Sequence, residues 1–95
     1  MPQYQRTDSF KSDYQKLIRK NSEVKNAATK ALLLFQDDPG HHSLKIKRLS
    51  GHRGIWEGHI TDKYVFTFSK EKAEDGELIY TFRRIGDHTI YKTPE

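Results

Sequence analysis

Apolar residues recur at helical spacing through the first part of the chain and at every second position through the rest. From Asp8 to Lys20 the apolar positions are Phe10, Tyr14, Leu17 and Ile18, at i, i+4, i+7 and i+8, and so share one helix face. Thr7 or Asp8 supplies the side-chain oxygen that the free N–H groups of a first turn need. Asn21-Ser22 breaks the pattern and offers a second cap. A new stripe then runs from Glu23 to Gln36 through Val24, Ala27, Ala28, Ala31, Leu32 and Phe35. Asp37-Asp38-Pro39-Gly40 ends it, because proline has no N–H for the helix and glycine turns freely. Two helices joined so closely are expected to lie as an antiparallel hairpin.

The period then changes to two. Leu44, Ile46 and Leu49 stand among Lys45, Lys47 and Arg48, and Trp56, Gly58 and Ile60 alternate with Glu57, His59 and Thr61. Tyr64, Phe66 and Phe68 alternate with Val65, Thr67 and Ser69, and Leu78, Tyr80 and Phe82 with Ile79, Thr81 and Arg83. Asp75-Gly76 marks a hairpin turn and Thr61-Asp62-Lys63 a tighter one. These periods predict an α+β two-layer sandwich, with the helix hairpin packed on an antiparallel sheet of about four strands. Tyr4 offers a further short strand at an edge, and the whole is read as one domain, residues 1–95.

Composition narrows the class. Hydrophobic residues make up 34% and aromatics 12% of 95 residues, enough for one small core. The longest apolar run, Ala31 to Phe35, is far short of a membrane span, and the amino terminus lacks the apolar stretch of a signal peptide. A cytoplasmic protein with no membrane partner is expected. The chain has no cysteine, which removes disulfides, thiol catalysis and cysteine-based metal sites. No cofactor and no metal is expected, since His41, His42, His52 and His88 show no ligand spacing.

The charges add a direction. There are 17 Lys and Arg against 13 Asp and Glu, a net +4, and residues 41–56 hold four cations and three histidines with no acid. If the large apolar set faces the helices, the other side of the sheet carries Lys45, Lys47, His59, Arg83, Thr81 and Thr67, with Glu57 the exceptional carboxylate. A solvated basic surface is the plain interpretation of such a face. Histidines among the cations favour a polyanion site that moves protons near neutral pH. By parity Arg83 and Arg84 are expected to point to opposite sides. His88, just past the last strand, is placed to fold back over the sheet.

Leu44-Lys45-Ile46-Lys47-Arg48-Leu49-Ser50-Gly51, Trp56-Glu57-Gly58-His59-Ile60 and Tyr64-Val65-Phe66-Thr67-Phe68 together resemble the RelE/YafQ/YoeB superfamily of toxins. Arg84-Ile85-Gly86-Asp87-His88-Thr89-Ile90-Tyr91 and the helix Phe10 to Leu17 are similar to it as well. The resemblance implies a RelE-like fold and a toxin of a type II toxin–antitoxin pair that cuts mRNA in the ribosomal A site. Its implied partners are the mRNA, the ribosome and a cognate antitoxin protein.

It further implies His59 and His88 as catalytic histidines, Lys47 and Arg84 as polar site residues, and Tyr91 as the aromatic that closes the site. Lys45, Arg48, Arg53, Lys63 and Arg83 would hold RNA. The chain departs from the pattern at Tyr64-Val65, where many members have an arginine. It departs again at Lys63 in place of an aspartate and at Ile46 in place of a YoeB-like glutamate. A ParE-like inhibitor of DNA gyrase and a non-catalytic RNA- or ribosome-binding module are the competing readings.

Overall fold

The computed structural model describes residues 2–95; Met1, where the predicted domain and the amino-terminal reading begin, lies outside them. The chain runs through β1 (Gln3–Arg6), α1 (Asp8–Ile18), α2 (Ser22–Asp37), β2 (Lys47–Arg48), β3 (Trp56–His59), β4 (Tyr64–Lys72) and β5 (Leu78–Asp87). Short 3-10 turns occupy His42–Leu44 and His88–Lys92. The Thr7 hydroxyl accepts the Phe10 N–H at 3.0 Å and donates to the Arg83 carbonyl at 2.8 Å, so one side chain caps α1 and ties it to β5. Asn21 accepts the Val24 N–H at 2.8 Å and caps α2. No helix among the described residues is long and apolar enough to cross a membrane.

The sheet has five strands in the order β1-β5-β4-β3-β2, and it is mixed, which corrects the expectation of about four antiparallel strands. β1 lies parallel to β5, with Tyr4 opposite Tyr80 and Arg6 opposite Phe82. Gln3-Tyr4-Gln5-Arg6 has a single apolar position, so no alternation announces it. The Thr7 N–H bond to the Phe82 carbonyl, at 3.0 Å, and the Tyr4 ring stacked 5.7 Å from Tyr80 hold it in place. The predicted Leu44 strand shrinks to the two residues of β2. His41 accepts the Ser43 N–H at 3.2 Å, the chain closes a 3-10 turn, and Lys45 takes a left-handed conformation at φ 50°. Among the described residues it is the one non-glycine at positive φ.

β5 carries a bulge. Thr67 pairs with Arg84 but Phe68 pairs with Phe82, leaving Arg83 as the extra residue. The bulge resets parity, so Tyr80, Phe82 and Ile85 all reach the core. Phe35, fully buried on α2, is the hub: its ring meets Phe68 at 4.9 Å, Tyr80 at 5.1 Å, Phe82 at 5.3 Å and Phe66 at 5.8 Å, all edge-on. Each such pair contributes about 0.5–1.5 kcal/mol beyond area burial.

The side of the sheet away from the helices is only partly open. Val65 and Thr67 are fully buried there, because the C-terminal segment folds back across β4 and β5. Thr67 donates to the Pro94 carbonyl at 2.8 Å, and Ile90 is buried.

Gly58 faces Phe66 across β3 and β4, and a Cβ there would stand 2.4 Å from Phe66 Cζ and 2.8 Å from Ile46 Cδ1. Gly58→Ala is expected to cost about 1–3 kcal/mol through overpacking. In a domain of this size that lowers Tm by roughly 4–8 °C per kcal/mol in thermal denaturation. An unchanged Tm would show that the Phe66 ring has room to move.

Candidate active site

His59 ends β3 opposite Val65, so its ring lies on the side away from the helices, as parity predicts. His88 opens the 3-10 turn that follows β5. Asp87 caps that turn by accepting the Thr89 N–H at 3.0 Å and the Thr89 hydroxyl. These bonds to Thr89, side chain first, hold the Asp87 carboxyl below its ordinary value. The two imidazoles come together with ring centroids 6.1 Å apart at 76°. Tyr91, one turn on, presents its ring 5.4 Å from His88.

Each ring is held differently. His88 Nε2 lies 3.0 Å from the Asp62 carbonyl oxygen, which can only accept, so Nε2 carries the proton and a neutral ring keeps its lone pair on Nδ1. The turn that presents this carbonyl is built by Thr61, whose hydroxyl oxygen accepts the N–H groups of Lys63 at 3.2 Å and Tyr64 at 3.1 Å. His59 Nε2 faces Glu57 Oε1 at 3.5 Å, and the Tyr91 hydroxyl donates to the same oxygen at 3.1 Å. Glu57 is 5% exposed. Burial, then the Glu57 charge, then the bond to Glu57 raise the Tyr91 phenol well above its ordinary range, so it stays protonated.

The predicted cations divide between the two sides. Lys47 is exposed and stands opposite Glu57 in β2–β3, beside the histidines. Arg48 stands opposite Trp56 on the other side, its guanidinium 5.0 Å from the indole centroid, with the Lys70 ammonium at 4.4 Å. Lys45 borders a cleft of about 390 Å³ on the helical side, with Phe35, His41, His42, Lys70 and Tyr80. Lys45 is therefore corrected away from the histidine face, because the 3-10 turn removes the alternation that put it there. Arg53 lies in the loop before β3, near His52 and Trp56. The Lys63 ammonium sits 5.5 Å from the Tyr64 ring.

Arg84 is engaged within the protein. Its Nε and Nη2 donate to Asp13 of α1 at 2.6 and 3.2 Å, and Nη1 donates to the Thr93 carbonyl at 2.9 Å. The hydrogen bond to Asp13 raises its pKa, and the guanidinium ties helix to tail. Arg83 donates to Ser69 at 3.3 Å, and its buried Nε has no hydrogen-bond partner among the described residues. The bulge puts Arg83 beside Ser69 and Arg84 opposite Thr67, both on the side away from the helices, against the expected opposite parity.

Sequence reasoning noted Glu57 but gave it no role; the available signal was a carboxylate two residues from His59 and so on the same strand face. Nothing in the side-chain pattern marks the Asp62 carbonyl. Among the described residues no group of three His, Asp or Glu is gathered as a metal site would need.

No protein-family model matches the chain, and no curated protein matches it. Solved structures do. The YoeB/ParE toxin from Agrobacterium tumefaciens superposes with a TM-score of 0.73 at 17% identity, covering 90% of this chain and 98% of that one. The fold is that of a RelE/YafQ/YoeB-like toxin. YafQ from E. coli BL21(DE3) gives 0.70 at 18% identity over 94% and 96% of the two chains. YafQ in the E. coli DinJ–YafQ complex gives 0.68 at 20% identity over 94% and 96%.

The Asp87 cap makes the His88 turn sensitive to acid. A carboxyl whose folded value is lowered stabilises the fold above its ordinary value of 3.8, and that stabilisation is lost as pH falls through the lowered value. The Thr89 amide shift is expected to titrate with a midpoint below 3.8, and the titration should vanish in Asp87→Asn. A wild-type midpoint at or above 3.8 would mean that the capping bonds do not form.

Proposed function

We propose that the chain, as a single domain of residues 1–95, is the toxin of a type II toxin–antitoxin pair and acts as a ribosome-dependent mRNA endoribonuclease without a metal ion. The observation that carries this reading is the pair of imidazoles 6.1 Å apart on the sheet side away from the helices, with Lys47 alongside. RNA cleavage by its own 2′-hydroxyl needs one group to take that proton and another to protonate the departing 5′-oxygen. It also needs fixed cations for the charge that develops on the phosphoryl oxygens. Two histidines flanking one phosphate supply the first two, and Lys47 the third. Tyr91, its hydroxyl tied to Glu57, offers a ring for a splayed base. Arg83, Lys63 and Arg53 would hold flanking phosphates of mRNA or ribosomal RNA in the cytoplasm.

The DinJ–YafQ structures are toxin–antitoxin complexes, and a partner of that kind supports an antitoxin here, with an acidic segment laid on the cationic side. A gyrase inhibitor or a non-catalytic ribosome-binding module would have no use for the imidazole pair.

The test is in vitro translation followed by toe-printing. Codon-positioned cuts that require ribosomes are expected from the wild type. His59→Ala and His88→Ala should each cut at least about 10²-fold more slowly, since each positioned proton transfer is worth about 10²–10⁴-fold. Ribosome binding should persist in both variants. Full cutting by both would remove the histidines from the mechanism, and intact message with impaired DNA supercoiling would point to the gyrase reading.

A further inference from the structure

The two imidazoles stand in different electrostatic settings. Glu57 is buried and, among the described residues, receives one hydrogen bond, from the Tyr91 hydroxyl, while a carboxylate has room for about four. A buried anion satisfied by a single neutral donor is costly, and a cation beside it offsets that cost. His59 Nε2, at 3.5 Å from the same oxygen, is the group positioned to be that cation. His88 has the opposite arrangement: its Nε2–H is committed to the Asp62 carbonyl, which leaves Nδ1, with no hydrogen-bond partner among the described residues, as the atom able to take a proton.

We propose that Glu57 is a positioning residue that holds the His59 imidazolium, making His59 the donor to the leaving 5′-oxygen and His88 the base that takes the 2′-hydroxyl proton. This rests on the ribonuclease reading above and assigns roles within it. In the forward step His88 Nδ1 takes the 2′-hydroxyl proton as the 2′-oxygen bonds to phosphorus. The bond from phosphorus to the 5′-oxygen breaks, and its electron pair takes the proton from His59 Nδ1. The products are a 2′,3′-cyclic phosphate and a 5′-hydroxyl. His88 ends protonated and His59 neutral, and exchange with water restores both. Nε2 of each ring is turned to protein, so Nδ1 of each is the atom that meets RNA.

The charged and titratable groups around His59 are Glu57 on its own strand, Lys47 across β2–β3, Lys30 of α2, which lines a cavity with it, and His88 and Tyr91 from the C-terminal turn. Tyr91 remains a neutral phenol, and Glu57 is the one carboxylate among these groups.

An mRNA with sulfur in place of the scissile 5′-oxygen separates the roles, because a thiolate leaves without a proton. In the ribosome assay, His59→Ala is expected to cut the oxygen substrate at least about 10²-fold more slowly than wild type and the sulfur substrate within about tenfold. His88→Ala should be slow on both. Glu57→Gln keeps the size of the side chain and an acceptor for Tyr91. It should lower kcat about tenfold on oxygen with KM unchanged. It should recover on sulfur. His59→Ala equally slow on both substrates, or Glu57→Gln equally slow on both, would overturn the assignment. Wild-type protein that cuts neither substrate would instead overturn the ribonuclease reading itself.

Discussion

The return of the C-terminal segment across β4 and β5 is the contact on which the candidate site depends. The Asp13 carboxylate accepts two guanidinium bonds from Arg84 and the backbone N–H of Ile85, while Arg84 reaches on to the Thr93 carbonyl. One partly buried ion pair thus joins α1, the free edge of β5 and the chain terminus. Thr67 closes the seam through Pro94, and Ile90 packs beneath. With the tail held at both ends, the turn between carries His88 and Tyr91 over β3. Removing Asp13 would take the partner from Arg84 and from the Ile85 N–H together, so one change loosens helix and tail at once.

The bulge in β5 complements it. By inserting Arg83 between two paired positions it lets the core take Tyr80, Phe82 and Ile85 and keeps both arginines out of it. Arg84 is thereby free to reach the helix and the tail, and Arg83 to meet Ser69. A regular strand would have sent one of the two toward the phenylalanine core, where an unpaired guanidinium is strongly disfavoured.

Within the site, geometry assigns each group a distinct setting. A backbone carbonyl fixes the proton of one imidazole, and a buried carboxylate faces the other. The same carboxylate engages the tyrosine hydroxyl, which leaves the aromatic ring as the part of Tyr91 available to a ligand. The positive groups that composition placed in one stretch are spread over both sides of the sheet. The cation density beside the histidines is therefore set by Lys47 and its neighbours, and Lys45 and Arg48 do not add to it.

Local chemistry made much of this legible. Helical spacing located both helices, with Thr7 and Asn21 as caps, and strict alternation located β3, β4 and the start of β5. The parity of His59 followed from the same rule, because Gly58 and Trp56 have to face the core. Residues 44–49 misled because Leu44 ends a 3-10 turn and Lys45 takes a left-handed conformation, so only Lys47 and Arg48 join the sheet, and β1 was faint because four residues with one aromatic carry no period. The surroundings of Arg83, Arg84 and Glu57 were decided by tertiary structure alone. A bulge is a pairing property of two strands, an ion pair spanning 71 residues has no local trace, and the burial of Glu57 comes from a tail that only the folded chain lays across it. Sequence by itself determined which side chains could share a face; long-range contact determined which of them meet.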